Sequence, residues 1–198
     1  RVLRRRVEQL SAPLNAKAVE DTAFYRYGVL LSRNEVGSHP SHFALTPAEF
    51  HAACQARAAH HPRALLATAT HDHKRGEDLR ARLMVLSEQP RWWDRQVRGF
   101  DALAEAMEAP LLAGGDRYML WQTLVAAWPL ALGVDAAAGL RDYAERVVQW
   151  LLKAIREAKL HTSWTDAMPD YEQAAQAFVE QVLGTRAGLP LRRALLRA

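Results

Sequence analysis

The chain has 198 residues, 49% of them hydrophobic and 24% charged, with a formal net charge of +4; that is ordinary for a globular protein and long enough to bury a core without staples. Its single cysteine, Cys54, excludes an internal disulfide and fits a reducing, cytoplasmic setting. No apolar run reaches the ~18–20 residues of a membrane-spanning helix, and no reader motif accompanies the basic clusters Arg4, Arg5, Arg6 and Arg192, Arg193, Arg197. Those clusters therefore read as solvated, and neither a membrane nor a nucleic-acid partner is expected.

The chain opens on Arg1 rather than Met and carries no leader pattern, so it reads as an excised piece of a longer protein. Leu3, Val7 and Leu10 predict a short helix that Pro13 stops. An aromatic knot follows at Phe24, Tyr25 and Tyr27, then a loop over residues 37–41. Thr46, Pro47 and Glu49 predict a helix start with a capping box, continuing to about His60. The apolar run at residues 64–68 predicts a buried strand that ends in polar groups at residues 70–75, with a second strand near residues 14–18.

From Glu77 onward only helical spacing is present. Leu79, Leu83 and Leu86 make one buried stripe, with Asp78 and Arg82 spaced for an ion pair, and Pro90 ends that helix. Trp92, Trp93, Val97, Phe100 and Leu103 predict another, bounded by Pro110 and a Gly114-Gly115 turn. Tyr118 to Trp128 is a strongly apolar helix ended by Pro129. The longest helix spans residues 137–159, with Asp142 and Arg146 spaced to pair on its outer face. The last begins near Asp170 and ends at a Gly184 cap. Trp121, Trp128 and Trp150 read as core. The fold expected is mainly α: a helical fragment with one or two short strands derived from an incomplete (β/α)8 barrel. Residues 1–75 form the barrel-derived part and residues 76–198 a helical subdomain.

The chemistry concentrates at residues 70–83, THDHKRGEDLRARL. A His-x-His pair on an extended strand sends both imidazoles to one face and could ligate a metal. His39, His42, His60 and His61 stand at no ligand spacing, and no metal or other cofactor is expected. A polar strand end with local hydrogen bonds and a glycosidase-type site are the other two readings of His71-Asp72-His73.

This stretch resembles T-H-D-T-K-R-S-E-D-x-R-A-R-L of the maltooligosyltrehalose synthase family in the α-amylase superfamily. Four further stretches resemble that family in the same order: AKAVEDTAFYRY at 16–27, LSRNEVG at 31–37, YMLWQTLVAAWP at 118–129, and KAIREAKLHTSW at 153–164. Ala18 and Ala126 stand where the family has Gly, and His73 and Gly76 depart inside the best motif.

The resemblance implies part of an enzyme acting on maltooligosaccharides. That enzyme turns the reducing-end α-1,4 linkage into an α,α-1,1 linkage by retaining, intramolecular transglycosylation, a step of trehalose biosynthesis. Asp72 matches the third carboxylate of the superfamily, and His71 the histidine beside it. Lys74 and Arg75 would hold the adjacent glucose, and Lys17, Glu20 and Asp21 would line the same cleft, where Glu20 and Asp21 equally suit a structural ion-pair role. Tyr25 would stack on a sugar ring. The nucleophile Asp and the acid/base Glu match no residue here, so the isolated chain is expected to be inactive. A related α-glucan hydrolase or 4-α-glucanotransferase, and a helical interaction module without chemistry, are the alternatives. Apolar surface on a fragment also predicts self-association.

Overall fold

The structure is a computed structural model that describes residues 1–110 and 112–198. Its first helix, α1 (Val2–Ala18), runs straight through Pro13 and buries none of its side chains. The proline has no N–H to offer the preceding turn, which weakens this helix without ending it. A π-helical turn, Val19–Ala23, widens the backbone, and α2 (Phe24–Arg26) follows directly. The residues read as a strand near 14–18 are thus helical. The widened turn bears Glu20 and Asp21, and such local widenings recur at functional sites.

Helix α3 (Pro47–His60) starts where the sequence indicated. The Thr46 hydroxyl accepts from the Glu49 N–H, and the Glu49 carboxylate accepts from the Thr46 N–H at 2.7 Å. No residue of α3 is buried.

The second expected strand is absent too. Residues 64–70 hold no strand pairing; Leu65 is 99% and Leu66 71% exposed. An extended segment needs a neighbour to take its backbone donors and acceptors, and among the described residues no strand supplies one. The apolar composition suggested a buried strand, but a run of four apolar residues has no fixed conformation without its sheet.

Five packed helices and the strip beneath them hold the core. These are α5 (Pro90–Ala106), α6 (Gly114–Ala127), α7 (Ala137–Ala158), α8 (Pro169–Gly184) and α9 (Leu189–Arg197), with α4 (Glu77–Val85) and Leu31 packed beside α6. Pro90 does not so much end α4 as begin α5, its missing N–H costing nothing at a first helical position. The two glycines at 114 and 115 likewise open α6. Trp121 lies at the centre, its ring 5.8 Å from Phe100 and 5.7 Å from Phe178 in tilted or edge-on contact. Trp121 and Trp128 are buried and Trp150 half-buried against the same core.

Several expected surface pairs take other partners. Arg82 donates to the Ala126 carbonyl at 2.9 Å rather than to Asp78. Arg146 reaches the Asp142 carbonyl at 3.4 Å, not its carboxylate, and lies over the Tyr143 ring. Gly184 is the last residue of α8, followed by an extended Thr185, so it adopts no left-handed cap.

Arg192 is the larger correction. It is buried rather than solvated, and its guanidinium donates to the carbonyls of Val134, Val182 and Thr185 at 2.8–2.9 Å. Burial pushes its pKa down. Yet the carbonyl-rich end of α8 is where a cation is favoured. Nothing in the sequence distinguishes this arginine from its exposed neighbour Arg193.

Candidate functional site

The site grows out of one buried knot. After α2 the chain turns at Gly28, where a Cβ would come within 2.9 Å of the Met119 side chain. Gln122 of α6 clamps this turn, donating to the Gly28 carbonyl at 2.6 Å and accepting from the Leu31 N–H at 2.9 Å. Asn34 then takes the orphan carbonyls at the end of the helical run. Its side-chain amide donates to Phe24 at 3.0 Å and Tyr27 at 2.5 Å. The next residue, Glu35, is buried by these contacts.

Glu35 joins the first third of the chain to residues 70–75. Its carboxylate accepts from the Lys74 backbone N–H at 2.7 Å and faces the Arg75 guanidinium at 3.9 Å, both side chains being almost fully covered. The Lys74 ammonium turns the other way, to Asp21 at 2.8 Å. Asp21 also meets Lys17 at 3.6 Å, and Lys17 bonds Glu157 of α7 at 2.7 Å. A line of alternating charge therefore runs Glu157, Lys17, Asp21, Lys74, then by the backbone to Glu35 and Arg75.

The electrostatics follow from this order. Burial works against the Asp21 carboxylate, yet the Lys74 and Lys17 ammoniums hold it below the usual carboxylate range. The Glu157 hydrogen bond raises Lys17. Burial disfavours the charged form of Lys74, and Asp21 overrides it to leave the pKa raised. Arg75 is pushed down by burial, which Glu35 only partly offsets. Glu20 accepts from the Gly37 N–H at 3.3 Å and so ties the widened helical turn to the 34–38 loop.

Asp72 and His71 stand at the outer edge of this network. The two side chains approach to 3.3 Å, with 64% and 90% of their surfaces exposed. The turn that carries them is tied by His73, whose Nδ1 accepts from the Thr70 N–H at 2.9 Å and lies 2.8 Å from its hydroxyl. His73 is thus committed to the local turn. Among the described residues, no three His, Cys, Asp or Glu side chains converge as metal ligands.

The structure accordingly brings together Lys17, Glu20, Asp21, Lys74 and Arg75, and hangs His71 and Asp72 beside them. Tyr25 is drawn inward. It is buried against Ala154, Ala158 and Trp150, burial raises its pKa, and its ring is covered by packing rather than offered to a ligand. Glu35 and Glu157 are the carboxylates of this charged cluster that sequence reasoning passed over. Each sits inside a stretch quoted above for resemblance, and its pairing with a lysine or arginine far along the chain had no local spacing to reveal it.

A protein of Mycobacterium tuberculosis named as a maltooligosyl trehalose synthase is 41% identical over 180 residues, covering 90% of this chain. The solved synthase of Arthrobacter ramosus superposes with a TM-score of 0.72 at 38% identity over 91% of this chain. The chain matches a section of the maltooligosyl trehalose synthases. The Sulfolobus tokodaii structure of that name agrees, with a TM-score of 0.79 at 30% identity over 92% of this chain. The chain spans 22% of the length of the curated synthases it matches, and 22–23% of these solved ones. No family model matches it. Likeness to the synthases extends to the fold: the helical arrangement described above is one they share, and among the described residues the expected barrel strands do not appear. Among the described residues, no helix is long and apolar enough to cross a membrane.

Proposed function

We propose that this chain is part of an enzyme that isomerises the reducing-end α-1,4 linkage of maltooligosaccharides to α,α-1,1. The single observation that carries the reading is the tie between distant motifs. The turn bearing Asp72 is bonded through Lys74 to both Glu35 and Asp21, so that three stretches resembling the synthases meet at one place.

In this reading Asp72 accepts hydroxyls of the sugar ring beside the reacting carbon, bonds that strengthen as the ring distorts and positive charge develops. His71 donates to the same sugar. Both need the solvent-facing position they occupy, since a glucose must reach them. Lys17, Glu20, Asp21 and Lys74 line the adjoining wall, and their mutual pairing holds the polar groups in fixed directions before substrate arrives. Arg75, buried against Glu35, braces the turn from behind. A retaining pair of carboxylates ~5–5.5 Å apart would attack and protonate the linkage. The glycosyl-enzyme so formed is captured by the 1-hydroxyl of the released glucose.

We further propose that residues 1–75 belong with a barrel and residues 76–198 with a helical subdomain, and that the chain alone does not turn over. Incubation of the longer protein with maltoheptaose is expected to give a non-reducing product of equal length. Asp72→Asn is expected to lower kcat by about 10²–10³, as for loss of a group that stabilises developing charge. Shorter maltodextrins as sole products would overturn the assignment to an isomerase. Turnover by the 198-residue chain itself, lost in Asp72→Asn, would overturn its inactivity in isolation.

A further inference from the structure

On the inner side of Lys74 and Arg75 lies a half-open cleft of about 220 Å³, roofed by α4 and walled by α6 and α7. Lys74, Arg75, Thr123, Tyr143, Arg146 and Trp150 line it, and neither His71 nor Asp72 does. Its polar groups are unusual in what they lack. Tyr143 is 4% exposed, yet its Oη has no hydrogen-bond partner among the described residues. A buried hydroxyl left unpaired is unfavourable, so such a group calls for a ligand. Arg75 is equally buried, and its one carboxylate neighbour, Glu35, stands at 3.9 Å, beyond hydrogen-bond reach.

The charge balance points the same way. Asp21 offsets Lys74, and Glu35 offsets Arg75. Arg146 meets only a backbone carbonyl and the face of Tyr143, so the excess positive charge sits on the rim of the cleft. Thr123 already donates to the Met119 carbonyl at 2.9 Å. The groups with free capacity are therefore the guanidiniums of Arg75 and Arg146 and the phenol O–H of Tyr143, all three residues belonging to the lining. A guanidinium offers donors alone, in a fork that suits paired oxygens.

We propose that this cleft binds a small oxoanion of the phosphate class, as the free ion or as a monoester. Its volume holds about seven waters at ~30 Å³ each, below the ~300 Å³ at which drug-sized pockets begin. That admits a phosphate with part of its water shell. Arg75 and Arg146 take its oxygens from two sides, and the Tyr143 hydroxyl donates to a third. The site is independent of the reading of Asp72.

The test uses the 198-residue chain. Thermal unfolding is followed while inorganic phosphate, glycerol 3-phosphate, acetate or chloride is added at matched ionic strength. Phosphate or its monoester is expected to raise Tm saturably, as selective binding to the folded state requires, and the better of the two identifies the source. Arg146→Ala, at an exposed position, is expected to weaken binding about tenfold, the equivalent of one charge-assisted hydrogen bond. Tyr143→Phe removes only the unpartnered hydroxyl and is expected to weaken it several-fold, with the Tm in chloride unchanged or raised, since an unsatisfied buried group is lost. Equal Tm in phosphate, monoester and chloride overturns the proposal, as does phosphate binding that survives both substitutions. Acetate matching phosphate overturns the phosphate class.

Discussion

Asn34 shows how much one side chain can organise. It takes two carbonyls at the end of a helical run, and in doing so sets the direction in which Glu35 enters the interior. Asn34→Ala strands the buried Phe24 carbonyl and the part-buried Tyr27 carbonyl and is expected to cost about 1–3 kcal/mol, read as a lowered urea midpoint at constant m. Gly188 is constrained differently. A Cβ there would collide with the Val182 carbonyl and come within 2.6 Å of the Gln181 carbonyl. Both obstacles are backbone, so Gly188→Ala is expected to destabilise by ~1–3 kcal/mol, the range for forced overpacking, again by denaturant titration. Neither role was legible in the sequence. Asn34 is one polar residue among many, and Gly188 resembles an ordinary turn glycine; what decides each is a neighbour from another element. The cluster around Lys74 was half legible. Its basic members stood out beside Asp72, whereas Glu35 and Glu157 needed the fold to bring them in.

At the scale of elements, periodicity served well wherever a helix packs one face on the core. The stripes of α4, α5, α6 and α7 emerge as read, with Leu83, Phe100, Trp121 and Leu151 buried on them. Packing enforces the conformation that the pattern suggests. It served poorly at α1, where nothing is buried and Pro13 lies mid-helix. Pro13→Ala restores one backbone hydrogen bond and removes a clash worth ~3 kcal/mol in a helix interior. Amide exchange over residues 9–17 is expected to slow, while the global unfolding midpoint shifts little, because no core contact depends on this helix. The missing strands have the converse origin. A strand is a property of a pair, and the sequence of residues 64–68 cannot carry its own partner.

Across the whole molecule, three carboxylates are held below their usual range; Glu49 is an exposed cap, and the other two, in ion pairs, set the acid limit. The Arg156 hydrogen bond holds Glu172 below the usual range, and Lys74 with Lys17 does the same for Asp21 against burial. Each therefore adds stability that is complete above its unfolded value near ~4 and is lost as pH falls through the lower folded value. Asp116 opposes them. Burial raises it despite the hydrogen bond from Tyr171 at 2.5 Å, so its contribution is greatest at low pH and disappears as pH rises through its folded value. Stability is expected to fall on acidification below about pH 4, and Glu172→Gln to flatten that slope in a series of urea titrations. Apolar side chains left in solvent, among them Leu65, Leu66, Leu10 and Leu14, are the ground on which self-association is expected; a sedimentation coefficient independent of concentration would refute it. The guanidinium of Arg192 gathers carbonyls from the loop before α7 and from the end of α8. The last nine-residue helix is consequently a fastening for the rest of the bundle: snip it off, and three acceptors lose their common donor at once, so the damage from so short a truncation reaches as far back as Val134, 58 residues before Arg192.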